Sequence, residues 1–211
     1  MGTPRLLDLF CGGGGSARGY QLAGFQVVGI DLVPQKHYIG EAFVQMNAIA
    51  ALDVLLCGGG ITDTQGNTWH LGDFAAIHAS PPCQGYSIMR NLPWLREKVY
   101  PLLIAPTREL LDWTGLPYII ENVAGARYRA SQPTGLKANW LCGQMFGLPI
   151  LRHRYFETNW AWFRPAHGRH WGTVRNGLGL ASRARDIVTI TEPVYSHAED
   201  ARGIESWPGR R

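Results

Sequence analysis

No apolar run in the 211 residues approaches the roughly 20 needed to cross a bilayer. A secretory signal is lacking too, because the chain reaches an acid at Asp8 and glycines from Gly12. Leu6 stands where a myristoylation signal wants Ser or Thr. These absences lead to the expectation of a cytoplasmic protein with no membrane partner. Cysteine is scarce: Cys11, Cys57, Cys83 and Cys142 form no Cys-x-x-Cys pair. That spacing argues against a zinc knuckle and a disulfide framework, so no metal is expected and a free thiol is available as a nucleophile. Internal repeats are absent. Acids are missing altogether between Phe163 and Arg185, where five arginines (Arg164, Arg169, Arg175, Arg183, Arg185), two histidines and four glycines gather. Such a stretch suits either contact with a phosphate backbone or a solvated basic loop.

What is present is a core-forming composition, 45% hydrophobic, with a mild net charge of +4. Residues 5–10, 26–31, 74–79 and 117–121 read as short buried strands. A helix is expected from Ser16, as N-cap, to about Ala23, and another around Leu102–Thr114 with Pro106 near its start and Gly115 beyond its end. Residues 53–70 read as a loop or hairpin, and regular periodicity fades from Trp160 apart from Ile187–Ile190. Strands alternating with helices predict a mostly parallel α/β sheet, which binds ligands beyond the C-terminal ends of its strands. Cys11–Gly15, Asp31, Pro81–Ser87 and Glu121-Asn122 all fall at such ends.

Four elements carry candidate chemistry. Asp8-Leu9-Phe10-Cys11 runs into Gly12-Gly13-Gly14-Gly15, where glycine permits positive φ and close ligand approach. With Asp31 downstream, Gly12-x-Gly14-x-x-Ala17 fits a nicotinamide, flavin or S-adenosylmethionine site, and equally a plain structural turn. Pro81-Pro82-Cys83-Gln84-Gly85-Tyr86-Ser87 presents a thiol at a strand terminus, a setting for nucleophilic attack, although most free cysteines are buried hydrophobes. Glu121-Asn122-Val123 ends an apolar strand on a carboxyl suited to proton donation, or to half of an ion pair. Arg152-His153-Arg154 puts two arginines on one side of an extended segment, fit for a phosphate or a carbonyl oxygen or simply for a surface strand.

In content and order these elements resemble the signature motifs of the cytosine-C5 DNA methyltransferases. The small phage-type members look closest, through Leu141-Cys142-Gly143-Gln144-Met145-Phe146-Gly147-Leu148 ahead of Arg152. The likeness covers roughly residues 5–160. It implies a Rossmann-like S-adenosylmethionine-dependent methyltransferase fold in residues 1–159. A short basic, irregular target-recognition segment in residues 160–211 is implied with it. It further implies that Cys83 adds to C6 of a flipped-out cytosine, Glu121 donates to N3, Arg154 holds O2, and Arg152 lies close to Glu121 or a phosphate. Asp8, Phe10, Cys11, Gly12, Gly13, Gly14, Asp31, Leu32, Asn47 and Pro81 are implied around S-adenosylmethionine. Gln84, Ser87, Asn122, Arg164, Arg169 and Arg175 are implied toward double-stranded DNA bound by a monomer.

Asn47 stands at the position of the family's adenine-binding aspartate, which implies altered cofactor binding. Only 57 residues follow Arg154, and the helical segment that follows a Gly-Ile-x-Trp stretch in phage-type relatives is missing here or replaced by Pro208-Gly209-Arg210-Arg211. A truncated or minimal enzyme is therefore expected. A binding module without full activity, or the same chemistry on RNA, remain alternatives.

Overall fold

A computed structural model describes residues 2–87, 97–127, 135–148, 150 and 152–170. Arg175, Ile187–Ile190 and the C-terminal residues beyond lie outside them. Among the described residues, nine strands and three α-helices are assigned. They are β1 (Arg5–Leu9), α1 (Gly15–Leu22), β2 (Gln26–Asp31), β3 (Ala42–Gln45), α2 (Ala48–Leu56), β4 (Ile61–Thr62), β5 (Thr68–Trp69), β6 (Ala76–Ala79), α3 (Ile104–Thr114), β7 (Tyr118–Asn122), β8 (Asn139–Cys142) and β9 (His153–Thr158).

Seven strands form one sheet in the order β3-β2-β1-β6-β7-β9-β8, and β4 and β5 make a separate hairpin. β3, β2, β1, β6 and β7 run parallel, while β9 lies antiparallel to β7. This is a Rossmann-like sheet, as the sequence predicts. Its two halves diverge from β1 and β6, with crossovers leaving in opposite directions. β1 and β2 are central because their apolar residues fill both faces: Leu6, Leu7, Leu9, Val27, Val28 and Ile30 are all fully buried. Leu6 and Val27 face α1, packing with Ala17 and the rings of Tyr20, Phe25 and Tyr38. Leu7, Leu9, Val28, Ile30 and Ile77 belong to the larger core shared with α2 and α3.

The helices follow from local signals. α2 buries Ala48, Ala51, Leu52 and Leu55, one stripe at i, i+3, i+4 and i+7, and Asn47 caps it. α3 carries Pro106 in its first turn, where a missing N–H is harmless, and stops at Gly115 with φ 67°. Arg108 of α3 pairs with the buried Glu157 of β9, donating to Oε2 at 2.8 Å and to the Gly135 carbonyl at 2.9 Å.

Three details differ from the sequence reading. The N-cap of α1 is Gly14, in the left-handed region at φ 89°, and Ser16 instead donates its hydroxyl to Asp8. Residues 53–56 belong to α2, so that only the later part of the 53–70 stretch is the hairpin. β3, β8 and α2 as a helix have no counterpart in the sequence reading. The chain also divides into two compact units. Among the described residues, the first comprises those within 2–139 and 155–162, the second those within 140–154 and 163–170. That division differs from a single break after residue 159, because the second unit takes up most of β8 and the start of β9.

No helix among the described residues is long and apolar enough to cross a membrane.

Candidate active site

Parallel register decides what meets at the carboxyl edge of the sheet. Leu9 pairs with Ile30 on one side and Ala79 on the other, and Ala79 pairs with Ile120. The next residues along each strand are Phe10, Asp31, Ser80 and Glu121, so four segments remote in sequence leave the sheet side by side.

The turn after β1 is tightly built. Phe10 has φ 59° and Gly12 φ 50°, left-handed conformations that a bulky residue adopts only under strain of about 1–3 kcal/mol. Cys11 N–H donates to the Ile30 carbonyl at 3.1 Å, and Gly14 N–H to the Cys11 carbonyl at 3.0 Å. Asp31 braces the turn from β2, accepting from Gly12 N–H at 2.9 Å with one oxygen and from Val33 N–H at 3.0 Å with the other. Leu32, 64% exposed, leaves an apolar side chain uncovered beside this carboxylate. Gly13 is exposed, and a Cβ built on it would meet nothing within 4 Å. Open backbone at Gly13, a carboxylate with acceptor capacity left over, and an uncovered apolar residue together fit an adenosyl group.

Beneath the turn lies a buried polar row in which the sequence reading named Asp8 but missed Tyr20, Tyr38 and His78. Asp8 sits in register with Gly29 of β2 and His78 of β6. Asp8 is fully buried; one oxygen accepts from Ser16 Oγ at 2.6 Å and the other has no partner among the described residues. Burial, with a contribution from the Asp31 charge, pushes its pKa up to about 7, partly offset by the Ser16 hydrogen bond. Tyr38 lies over Gly29, where a Cβ would come within 2.3 Å of its ring. Tyr20 Oη and His78 Nδ1 are 2.9 Å apart, His78 Nε2 and Ser80 Oγ 3.2 Å. Burial lowers the His78 pKa to about 4, which keeps it neutral. Asp8 is thus fully buried and ties the end of β1 to the first turn of α1 through Ser16. The signal available in sequence was a polar residue inside each of two apolar runs, at Asp8 and His78.

Beyond β6, Tyr86 N–H and Ser87 N–H both donate to the Cys83 carbonyl at 2.9 Å, which curls the chain just after the thiol. Asn122 then links two motifs. Fully buried at the end of β7, it donates through Nδ2 to the Pro81 carbonyl at 2.7 Å, and its Oδ1 accepts from Val123 N–H at 2.9 Å. Gly125 packs so closely on this loop that a Cβ there would sit 2.2 Å from the Tyr86 carbonyl oxygen. Along β7, burial alternates so that Glu121 faces away from Asn122, half-exposed with Ile119. Asn122, expected toward DNA, is instead an internal clamp. Gln84 is exposed and Ser87 half-buried on the same loop.

The four cysteines separate clearly. Cys11 is buried, and burial together with the Asp8 and Asp31 charges pushes its thiol far above the usual range. Cys57 is exposed at the C-terminal end of α2. Cys142 is buried in the second unit, and Cys83, half-exposed, is the thiol at the strand-end site. Asn47 is exposed with its Oδ1 occupied by Ile49 N–H and Ala50 N–H at 2.9 and 3.2 Å, which leaves its amide protons for any further contact.

Within the second unit, Arg152 and Arg154 are half-buried and Arg154 Nη1 donates to the His153 carbonyl at 3.1 Å. Arg164 stacks over the Trp140 ring at 4.3 Å, while Arg169 is exposed. Nearby, Cys142, His153, His167 and His170 bring one ligand-type atom each to within 4.8 Å of one another.

No protein-family model and no curated protein sequence matches the chain. Among solved structures it is similar to the Dnmt2 methyltransferase of S. pombe, at 19% identity and a TM-score of 0.40, over 74% of this chain and 48% of that one. It is also similar to a SAM-dependent methyltransferase from Agrobacterium tumefaciens, at 15% identity and a TM-score of 0.35, over 61% and 40%. The chain therefore spans less than half the length of either structure. Likeness at this level reflects the general course of the chain and assigns it no activity.

Proposed function

We propose that this chain is an S-adenosylmethionine-dependent methyltransferase that modifies C5 of cytosine in DNA, with Cys83 as nucleophile. The observation carrying this reading is the clamp from Asn122 to the Pro81 carbonyl. It ties the Glu121 strand end to the loop bearing Cys83, one strand away from the glycine turn braced by Asp31. Methylation at an unactivated ring carbon needs a thiol, a proton donor and a cofactor turn in proximity.

Cytosine C5 is a poor nucleophile until a thiolate adds at C6. In the proposed sequence Cys83 forms the S–C6 bond while Glu121 donates to N3, so that the ring does not accumulate negative charge. Arg154 and Arg152 take the roles of holding O2 and a phosphate. S-adenosylmethionine, when bound, supplies the methyl group that C5 takes. A base then removes the C5 proton, and the electron pair returned to the ring expels the Cys83 thiolate. A stacked base hides C6, so the target must be extruded from the duplex. Gln84, Ser87, Arg164, Arg169 and Arg175 are proposed on the DNA side.

A nicotinamide enzyme is disfavoured. The dinucleotide-binding order continues with a sixth parallel strand, whereas here the antiparallel β9 takes that place. That reading also gives no work to Cys83 or Glu121. Methyl transfer from isotopically labelled cofactor, followed by nucleoside analysis, tests the proposal. 5-Methylcytosine in DNA is the expected product; label found only in RNA would move the substrate, and cofactor binding without transfer to either would reduce the chain to a binding module.

A further inference from the structure

The cluster in the second unit belongs to none of the chemistry above. Cys142 closes β8, His153 opens β9, and His167 and His170 lie three apart in the segment that follows. The spacing, Cys-x10-His-x13-His-x2-His, contains no Cys-x-x-Cys pair, and this is why the sequence pointed away from a metal.

The four ligand-type atoms lie within 4.8 Å of one another, and two of the pairs stand at coordination-sphere separations. Tetrahedral zinc with bonds of about 2.0–2.1 Å to nitrogen and about 2.3 Å to sulfur places neighbouring nitrogens roughly 3.4 Å apart and nitrogen and sulfur roughly 3.6 Å apart. His153 Nε2 and His170 Nε2 are 3.2 Å apart, and Cys142 Sγ and His170 Nε2 are 3.7 Å apart. Hydrogen bonds alone account poorly for the group, because His167 Nε2 is buried without a partner among the described residues. Trp140 braces the arrangement, with its ring edge-on to His153 at 4.7 Å and to His167 at 4.8 Å. Orientation of this kind is what imidazole ligands require.

We infer that Cys142, His153, His167 and His170 bind one zinc ion in a closed, structural site. One thiolate and three imidazoles are borderline-soft donors that select zinc over magnesium or calcium, and four protein ligands leave no position for catalysis. The ion would fasten the start of the basic segment, with Arg164 and Arg169, to the β8–β9 strands. The inference stands independently of the cytosine reading.

The test uses the full chain, purified without chelator, with metal content measured by mass spectrometry and folding by circular dichroism. About one zinc per chain is expected. Cobalt(II) added to the chelator-stripped protein should give the visible bands of a tetrahedral site together with a thiolate-to-cobalt absorption. Cys57→Ser, which removes the exposed thiol, should keep both. Cys142→Ser should lose the thiolate absorption, and His167→Ala should weaken zinc binding by more than the roughly 100-fold that loss of an outer-shell partner alone brings. His170→Cys, which substitutes another zinc ligand, should retain the ion. A folded wild-type chain with neither bound zinc nor a tetrahedral cobalt spectrum would overturn the inference. So would binding left unchanged by both Cys142→Ser and His167→Ala.

Discussion

Among the described residues only the Ser16 hydroxyl reaches the Asp8 carboxyl, and burial raises its pKa from 3.8 to about 7. From pH 4 to about 7 the folded chain therefore keeps a proton that the unfolded chain has released, and stability falls as pH rises through that window. Above it the penalty is constant. Asp8→Asn removes the penalty, so its melting temperature relative to wild type should climb between pH 4 and 7 and then level off. His78, lowered to about 4, opposes this slope in both proteins and cancels in the difference. A difference that stays flat across pH would contradict the account of Asp8. At Asp31 the prediction concerns binding. Asp31→Ala frees Gly12 N–H and Val33 N–H and removes the carboxylate that fits the adenosyl group, so calorimetry should show S-adenosylmethionine affinity falling by about tenfold or more. Cys83→Ser should abolish methyl transfer while changing that affinity by no more than about twofold, since the thiol acts on the base and not on the cofactor.

At the scale of elements, Asn122 is the joint between β7 and the loop after β6. Asn122→Ala strands the Pro81 carbonyl, which should destabilise the fold by about 1–3 kcal/mol in denaturant titration. Single-turnover methylation should fall far more than cofactor binding does, because the turn after β1 is built without Asn122. Gly29→Ala forces Tyr38 off β2 and should cost about 1–3 kcal/mol by overpacking. β1, β2, β6 and β7 were legible in the sequence because each is a short apolar run closed by Gly, Pro or an acid, and α3 because Pro106 marks its start and Gly115 its end. β3 was not, since four residues, Ala42–Gln45, give too little alternation to register. The end of α2 ran into glycines and was read as loop. Ser16 looked like a cap, but the open backbone at Gly14 takes that position and leaves the hydroxyl to satisfy a buried carboxylate.

For the whole molecule, the convergence of Phe10, Asp31, Ser80 and Glu121 was legible because parallel register brings the last residues of β1, β2, β6 and β7 to one edge. The supporting layer of Tyr20, Tyr38 and His78 was not legible. Those contacts join residues up to 58 positions apart, as between Tyr20 and His78, and no local period encodes them. The Cys142 cluster escaped for the same reason, its ligands coming from two strands and a coil. The central claim, Cys83 attacking C6 of cytosine in DNA, is tested most directly by trapping on mixed-sequence duplexes carrying 5-fluorocytosine, with S-adenosylmethionine present. Fluorine at C5 does not leave as a proton does, so a methylated adduct should accumulate, survive a denaturing gel and disappear in Cys83→Ser. A folded, cofactor-binding chain that yields no adduct on such DNA, or one whose adduct persists in Cys83→Ser, would contradict it.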